Sequence, residues 1–138
     1  MTSNAVSVSG NTIVSDSISP VIVVPQPGGA SIKPPSQLPT GKSFPYQGTF
    51  YACLPSVPNS SANVHTIQVS HAFHLAKAVS IELYHGANNI FDSTTSNVNL
   101  VTVDVGDPGD DGWVVTLTVQ FTNHTSTAII TSVTLNFQ

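Results

Sequence analysis

The chain has 138 residues, which fits one domain and leaves little room for a second. Only 7% of the residues are charged, against about 25% in ordinary soluble domains, and the net charge of −4 includes three lysines (Lys33, Lys42, Lys77) and no arginine. That excludes a basic stripe for nucleic acid, which needs several phosphate contacts, and it removes the bidentate guanidinium clamp.

In chain order, residues 1–44 read as an extended, Pro-rich N-terminal arm. Val6 and Val8 alternate with Ser7 and Ser9, Gly10-Asn11 makes a turn, and Ile13-Val14 and Ile18 follow. Pro20-Val21-Ile22-Val23-Val24-Pro25 leads into a stretch punctuated by Pro27, Gly28, Gly29, Pro34, Pro35, Pro39, Gly41 and Pro45. Proline lacks a backbone donor and favours turn or polyproline geometry, so this stretch is expected to hold neither a helix nor a central strand. No basic segment followed by a long apolar run opens the chain, and the apolar run Val21–Val24 is too short to span a bilayer. The expectation is cytoplasmic synthesis with no signal peptide, no transmembrane segment and no membrane partner.

Residues 45–138 read as the domain proper. Tyr46–Leu54 is a strand ended by Pro55. Val64–Leu75 alternates, with Ile67, Val69, Phe73 and Leu75 on one face; Ala78–His85 does the same with Val79, Ile81 and Leu83. Gly86-Ala87-Asn88-Asn89 is a turn before a short strand at Ile90-Phe91. Val98–Val105 follows, then the turn-rich loop 107–112. Trp113, Val115, Leu117, Val119 and Phe121 form the clearest alternation, and Ile129–Phe137 closes the chain. Short strands at this spacing predict an all-β fold, an antiparallel β-sandwich of jelly-roll or immunoglobulin-like kind. The Cys–Trp–Cys pattern of true immunoglobulin domains is absent, since Cys53 and Trp113 stand alone. Cys53 is expected as a small buried hydrophobe.

Few residues suggest chemistry. Of the five histidines, His65, His71 and His85 share parity with apolar strand faces, whereas His71 and His74 point to opposite faces of a regular strand, a poor arrangement for a shared metal. Asp104, Asp107, Asp110 and Asp111 crowd one loop. A solvated turn explains them, and calcium is the one cofactor they admit, although the spacing is not that of an EF-hand. Glu82 is the only glutamate, and nucleophile-elbow, P-loop and dinucleotide motifs are missing, so no enzyme is expected and no catalytic residue is named. Tyr84 has outward parity on its strand. With Asn88 and Asn89 in the turn beyond, it is the candidate binding surface; Tyr51 is a further available aromatic.

Two functions fit. A surface of uncharged Ser, Thr and Asn is less costly to desolvate than one of ions, which suits a chain surrounded by copies of itself. With its arm and few charges, the chain resembles the small β-sandwich virion proteins of bacteriophages, such as capsid decoration or cement proteins. That resemblance implies a non-enzymatic structural protein, a homo-oligomer whose arm crosses onto neighbouring capsid subunits. The alternative is a carbohydrate- or receptor-binding module, lectin-like or at a fibre tip, with aromatics and Asn/Asp groups exposed near loops 86–90 and 106–112.

Overall fold

A computed structural model describes residues 4–55, 63–106 and 112–138. The described strands are β1 (Asn4–Ser9), β2 (Val14–Ser15), β3 (Ile22–Gln26), β4 (Gly29–Lys33), β5 (Tyr46–Leu54), β6 (Val64–His74), β7 (Ala76–His85), β8 (Asn88–Thr94), β9 (Val101–Val105), β10 (Trp113–Phe121) and β11 (Thr127–Phe137). One 3-10 turn, Gly10–Thr12, is the only helical element among the described residues.

The strands form two antiparallel sheets packed face to face. One runs β3-β4-β11-β6-β9, with β1 also on β11; the other runs β2-β5-β10-β7-β8. The pairings are nested, β7 with β8, β6 with β9, β5 with β10 and β4 with β11. A long hairpin folded over on itself in this way is a jelly roll, which decides between the two sandwich types the sequence allowed. Alternation fills the space between the sheets. Trp113, Val115, Leu117, Val119 and Phe121 of β10 are buried against Ile130, Leu135 and Phe137 of β11 and Ile67 and Val69 of β6. The intervening side chains of β10 are only half-buried and point outward.

The chain changes sheets between β6 and β7 through one residue. Leu75 has φ 51°, and its carbonyl accepts the amide of Thr122 at 3.1 Å. The expectation that Leu75 continues the buried face of β6 is therefore wrong; it is 46% exposed at the corner. Cys53 is corrected too: Ala52 and Leu54 take the inward positions of β5, which leaves Cys53 exposed on the outer face.

The largest correction concerns residues 1–44. Residues 4–33 of that stretch pair into the sandwich rather than reaching away from it. β11 presents one edge that is shared end to end, with β4 paired at Ala128–Ile130 and β1 at Ser132–Phe137. β4 is bonded on both sides, so a central strand sits inside the stretch thought too proline-rich for one. Gly29–Lys33 contains no proline, and Pro27 and Pro34 bracket it without removing a ladder donor. Ala30 and Ile32 are fully buried, an anchor worth roughly 1.5–3 kcal/mol for the isoleucine alone. Two glycines make the changeover possible. A Cβ on Gly10 would lie 1.9 Å from the Ile130 carbonyl oxygen and one on Gly29 2.4 Å from the same atom.

The intervening loop is pinned to β5. The Asp16 carboxylate accepts the amides of Ile18 and Ser19, the Ser19 carbonyl accepts the amide of Thr49, and Tyr46 donates its hydroxyl to the Pro20 carbonyl at 2.8 Å. Burial and the nearby Asp16 carboxylate both push the Tyr46 phenol above its ordinary pKa.

Candidate functional site

The outer face of the β2-β5-β10-β7-β8 sheet is built in rows by its register. Tyr51, Thr116, Glu82 and Asp92 lie side by side across β5, β10, β7 and β8. Cys53, Val114, Tyr84 and Asn89 make the next row on one side. Thr49, Thr118, Ser80 and Thr94, then Gln47, Gln120 and Lys77, make the rows on the other. The central strand β10 contributes only small side chains at Val114, Thr116 and Thr118, whereas β5 and β7 carry Tyr51, Tyr84 and Glu82. Low in the middle and high at the sides, the face becomes a trough about 10 Å between its walls, two strand spacings.

Three open clefts lie on this face of the sheet. The first, about 330 Å³, is lined by Asp16, Thr49, Tyr51, Glu82, Tyr84, Gly86, Val114 and Thr116. The second, about 300 Å³, is lined by Ser80, Glu82, Asp92, Ser93 and Thr94. The third, about 280 Å³, includes Gln47, Lys77, Thr94 and Gln120. Glu82 lines the first two and Thr94 the last two; the first lies over the trough, and the second lies beyond Glu82, over β7 and β8.

Glu82 is held in place. Its Oε2 accepts the Tyr84 hydroxyl at 2.7 Å and the Asn89 side-chain amide at 3.0 Å. The hydrogen bond to Glu82, then burial and the carboxylate's charge, raise the Tyr84 phenol above its ordinary pKa, so it stays a protonated donor through the neutral range. The Asn89 carbonyl oxygen accepts the amide of Phe91 at 3.1 Å, which fixes the β7–β8 hairpin from which Asn89 reaches back. Glu82 and Asp92 stand directly opposite each other on one face, an arrangement that costs stability in an antiparallel pair.

The structure brings Tyr84 and Asn89 together through Glu82. Asn88 is exposed at the hairpin beside them, opposite His85 in the ladder. Sequence reasoning named Glu82 only as the lone glutamate and did not place Asp16 or Asp92. The available signal was parity: Glu82 lies two residues before Tyr84 and shares its outward face. His85 is buried, its ring 4.7 Å from that of Trp113, as its inward parity implied.

The calcium candidates separate. Asp107, Asp110 and Asp111 lie outside the described residues. Asp104 is exposed and paired with His65 Nδ1 at 2.6 Å, on the edge formed by β6 and β9 and away from the trough. His65 is accordingly half-exposed rather than part of the apolar face. No group of three metal-capable side chains occurs among the described residues, and those residues do not make a calcium cradle. None of the described helical elements is long and apolar enough to cross a membrane.

No protein-family model matches the chain, and no curated protein matches its sequence. Solved structures do. A low-affinity xylan-binding module, CBM86, from the gut symbiont Roseburia intestinalis aligns with 100% of this chain and 97% of its own, at TM-score 0.52 and 13% identity. A CBM36 domain of a multidomain xylanase from the hindgut metagenome of Trinervitermes trinervoides aligns with 96% of each chain at TM-score 0.48 and 13% identity. A CBM36 module solved with calcium and xylotriose gives 0.46 and 12%, over 92% of this chain and 96% of that one.

The likeness to the xylan-binding module is one of fold, a β-sandwich shared from end to end. It overturns the expectation of a phage capsid decoration or cement protein. That reading leaned on an arm projecting to neighbouring subunits. The described part of the supposed arm instead supplies strands to both sheets of its own sandwich, and the solved structure that shares this sandwich from end to end is a xylan-binding module, not a virion protein.

Proposed function

We propose that this chain is a non-catalytic carbohydrate-binding module that holds glycan in the trough over β5, β10, β7 and β8. One observation carries the reading: an open cleft of about 330 Å³ that sets Tyr51 and Tyr84 on opposite walls above a floor of small side chains. A sugar ring presents apolar C–H faces and a rim of hydroxyls. Tyrosine offers a rigid apolar surface with a polar tip, and Glu82, Thr49 and Thr116 supply hydrogen-bond partners for the rim. Because Tyr84 and Asn89 already orient Glu82, little side-chain freedom remains to be lost on binding. Such a module acts where polysaccharide is met, outside the cell.

Affinity electrophoresis of the full chain through gels containing xylan, β-glucan or β-galactan tests this. Retention is expected with at least one polymer, and Tyr84→Ala should weaken it about tenfold (1.4 kcal/mol) with the melting temperature little changed. Retention by none of the three polymers would overturn the reading. Unaltered retention of Tyr84→Ala and Glu82→Ala would remove the site from this face.

A further inference from the structure

We infer that the trough selects neutral polysaccharide and rejects the same polymer carrying carboxylates, a conclusion that rests on the carbohydrate-binding reading. The charged groups lining the first two clefts are Asp16, Glu82 and Asp92, all anionic. Lys77 is the one cation in the row and belongs to the third cleft. Lys33 lies on β4 in the other sheet, and the chain has no arginine to bridge an anionic ligand to these acids.

The three carboxylates act as acceptors only, so the groups that satisfy them are donors. The hydroxyls of a neutral sugar supply donors, and hydrogen bonds to an ionised acceptor are about twice as strong as neutral ones. A carboxylated sugar loses a donor at each substituted position and brings an anion toward three others. Two of them are held in place: an Asp16 oxygen takes the amides of Ile18 and Ser19 at 2.6 and 3.0 Å, and Glu82 takes the Tyr84 hydroxyl and the Asn89 amide. Glu82 and Asp92 face each other across one ladder position, so a further anion between them meets both. The trough is also long. Lys77 and Tyr84 lie seven residues apart on one strand, about 23 Å at the usual rise, so a bound chain several sugars long crosses the row in which Glu82 and Asp92 stand abreast.

The test uses xylan, β-glucan and β-galactan, each beside its hydroxyethyl and carboxymethyl derivatives, with binding read by calorimetry at 10 mM and 1 M sodium chloride. The hydroxyethyl group controls for bulk without charge. For the polymer that binds, the hydroxyethyl form should match the parent. The carboxymethyl form should bind about tenfold more weakly at 10 mM salt (1.4 kcal/mol). The gap should close at 1 M salt, because the screening length falls from about 30 Å to about 3 Å. The double variant Asp16→Asn, Asp92→Asn should narrow the ratio between parent and carboxymethyl binding at low salt, even where it weakens the parent itself, and an unchanged ratio would overturn the inference.

Equal binding of parent and carboxymethyl polymer overturns this inference and leaves the module reading standing. So does equal weakening by both derivatives, which assigns the effect to bulk. Absence of binding to any parent polymer overturns the carbohydrate reading itself.

Discussion

Residues 4–33 and residues 113–137 contribute to the same sandwich, yet they are held by different means. β10 and β11 are long, and each has one buried face, so every second residue gains from burial and the pattern is fixed within the strand itself. β1 to β4 are short and broken by Pro20, Pro25 and Pro27. They are held by what lies beside them: the edge of β11, the close approach at the Ile130 carbonyl and the hydrogen bonds that pin the loop to β5. A segment can therefore be integral to a core without carrying the internal periodicity of a core strand.

Three substitutions sharpen this contrast. Trp113→Ala, at the start of β10, removes a fully buried ring that packs on Phe137 at 5.9 Å and on His85 at 4.7 Å. It should cost about 3–5 kcal/mol in urea unfolding followed by circular dichroism. Gly10→Ala adds only a methyl group, but its Cβ meets backbone at 1.9 Å, where no side chain can swing away. A loss of about 1–3 kcal/mol is expected. A loss below the error of the melt would show that the N-terminal segment is not seated on β11.

Tyr46→Phe is the smallest, at about 1 kcal/mol, because it leaves the Pro20 carbonyl without its donor. It also carries a pH signature. The folded phenol holds its proton more tightly than the ordinary value of 10.0, so its contribution is complete below pH 10 and fades as pH rises through the folded value. The wild type should lose stability along that alkaline limb and the Phe variant should lose less. Tyr84, raised in the same direction, leaves a residual slope in both. Identical limbs would sink the assignment to Tyr46.

The same division governs the candidate site. The outward parity of Tyr84 was legible, because an alternating strand with Leu83 buried must turn Tyr84 away from the core. The cluster around it was not. Tyr51, Thr116 and Glu82 share a row only because β10 inserts between β5 and β7, a pairing that joins positions 51, 116 and 82. Nor could the sequence show that Asp104 would be drawn to His65 at a sheet edge.

By itself the sequence determined an all-β chain, the inward set of β10, and a surface nearly free of ions, because alternation and composition are local properties that survive any arrangement of the strands. Tertiary structure decided that the proline-studded first quarter belongs to the sandwich, that the sandwich is a jelly roll, and that a line of small residues between two tyrosines forms a trough. Those outcomes depend on which distant strands pair. Strand pairing is settled by the joint burial of both sheets and by close backbone approaches such as that at Gly10, none of which a single segment encodes alone.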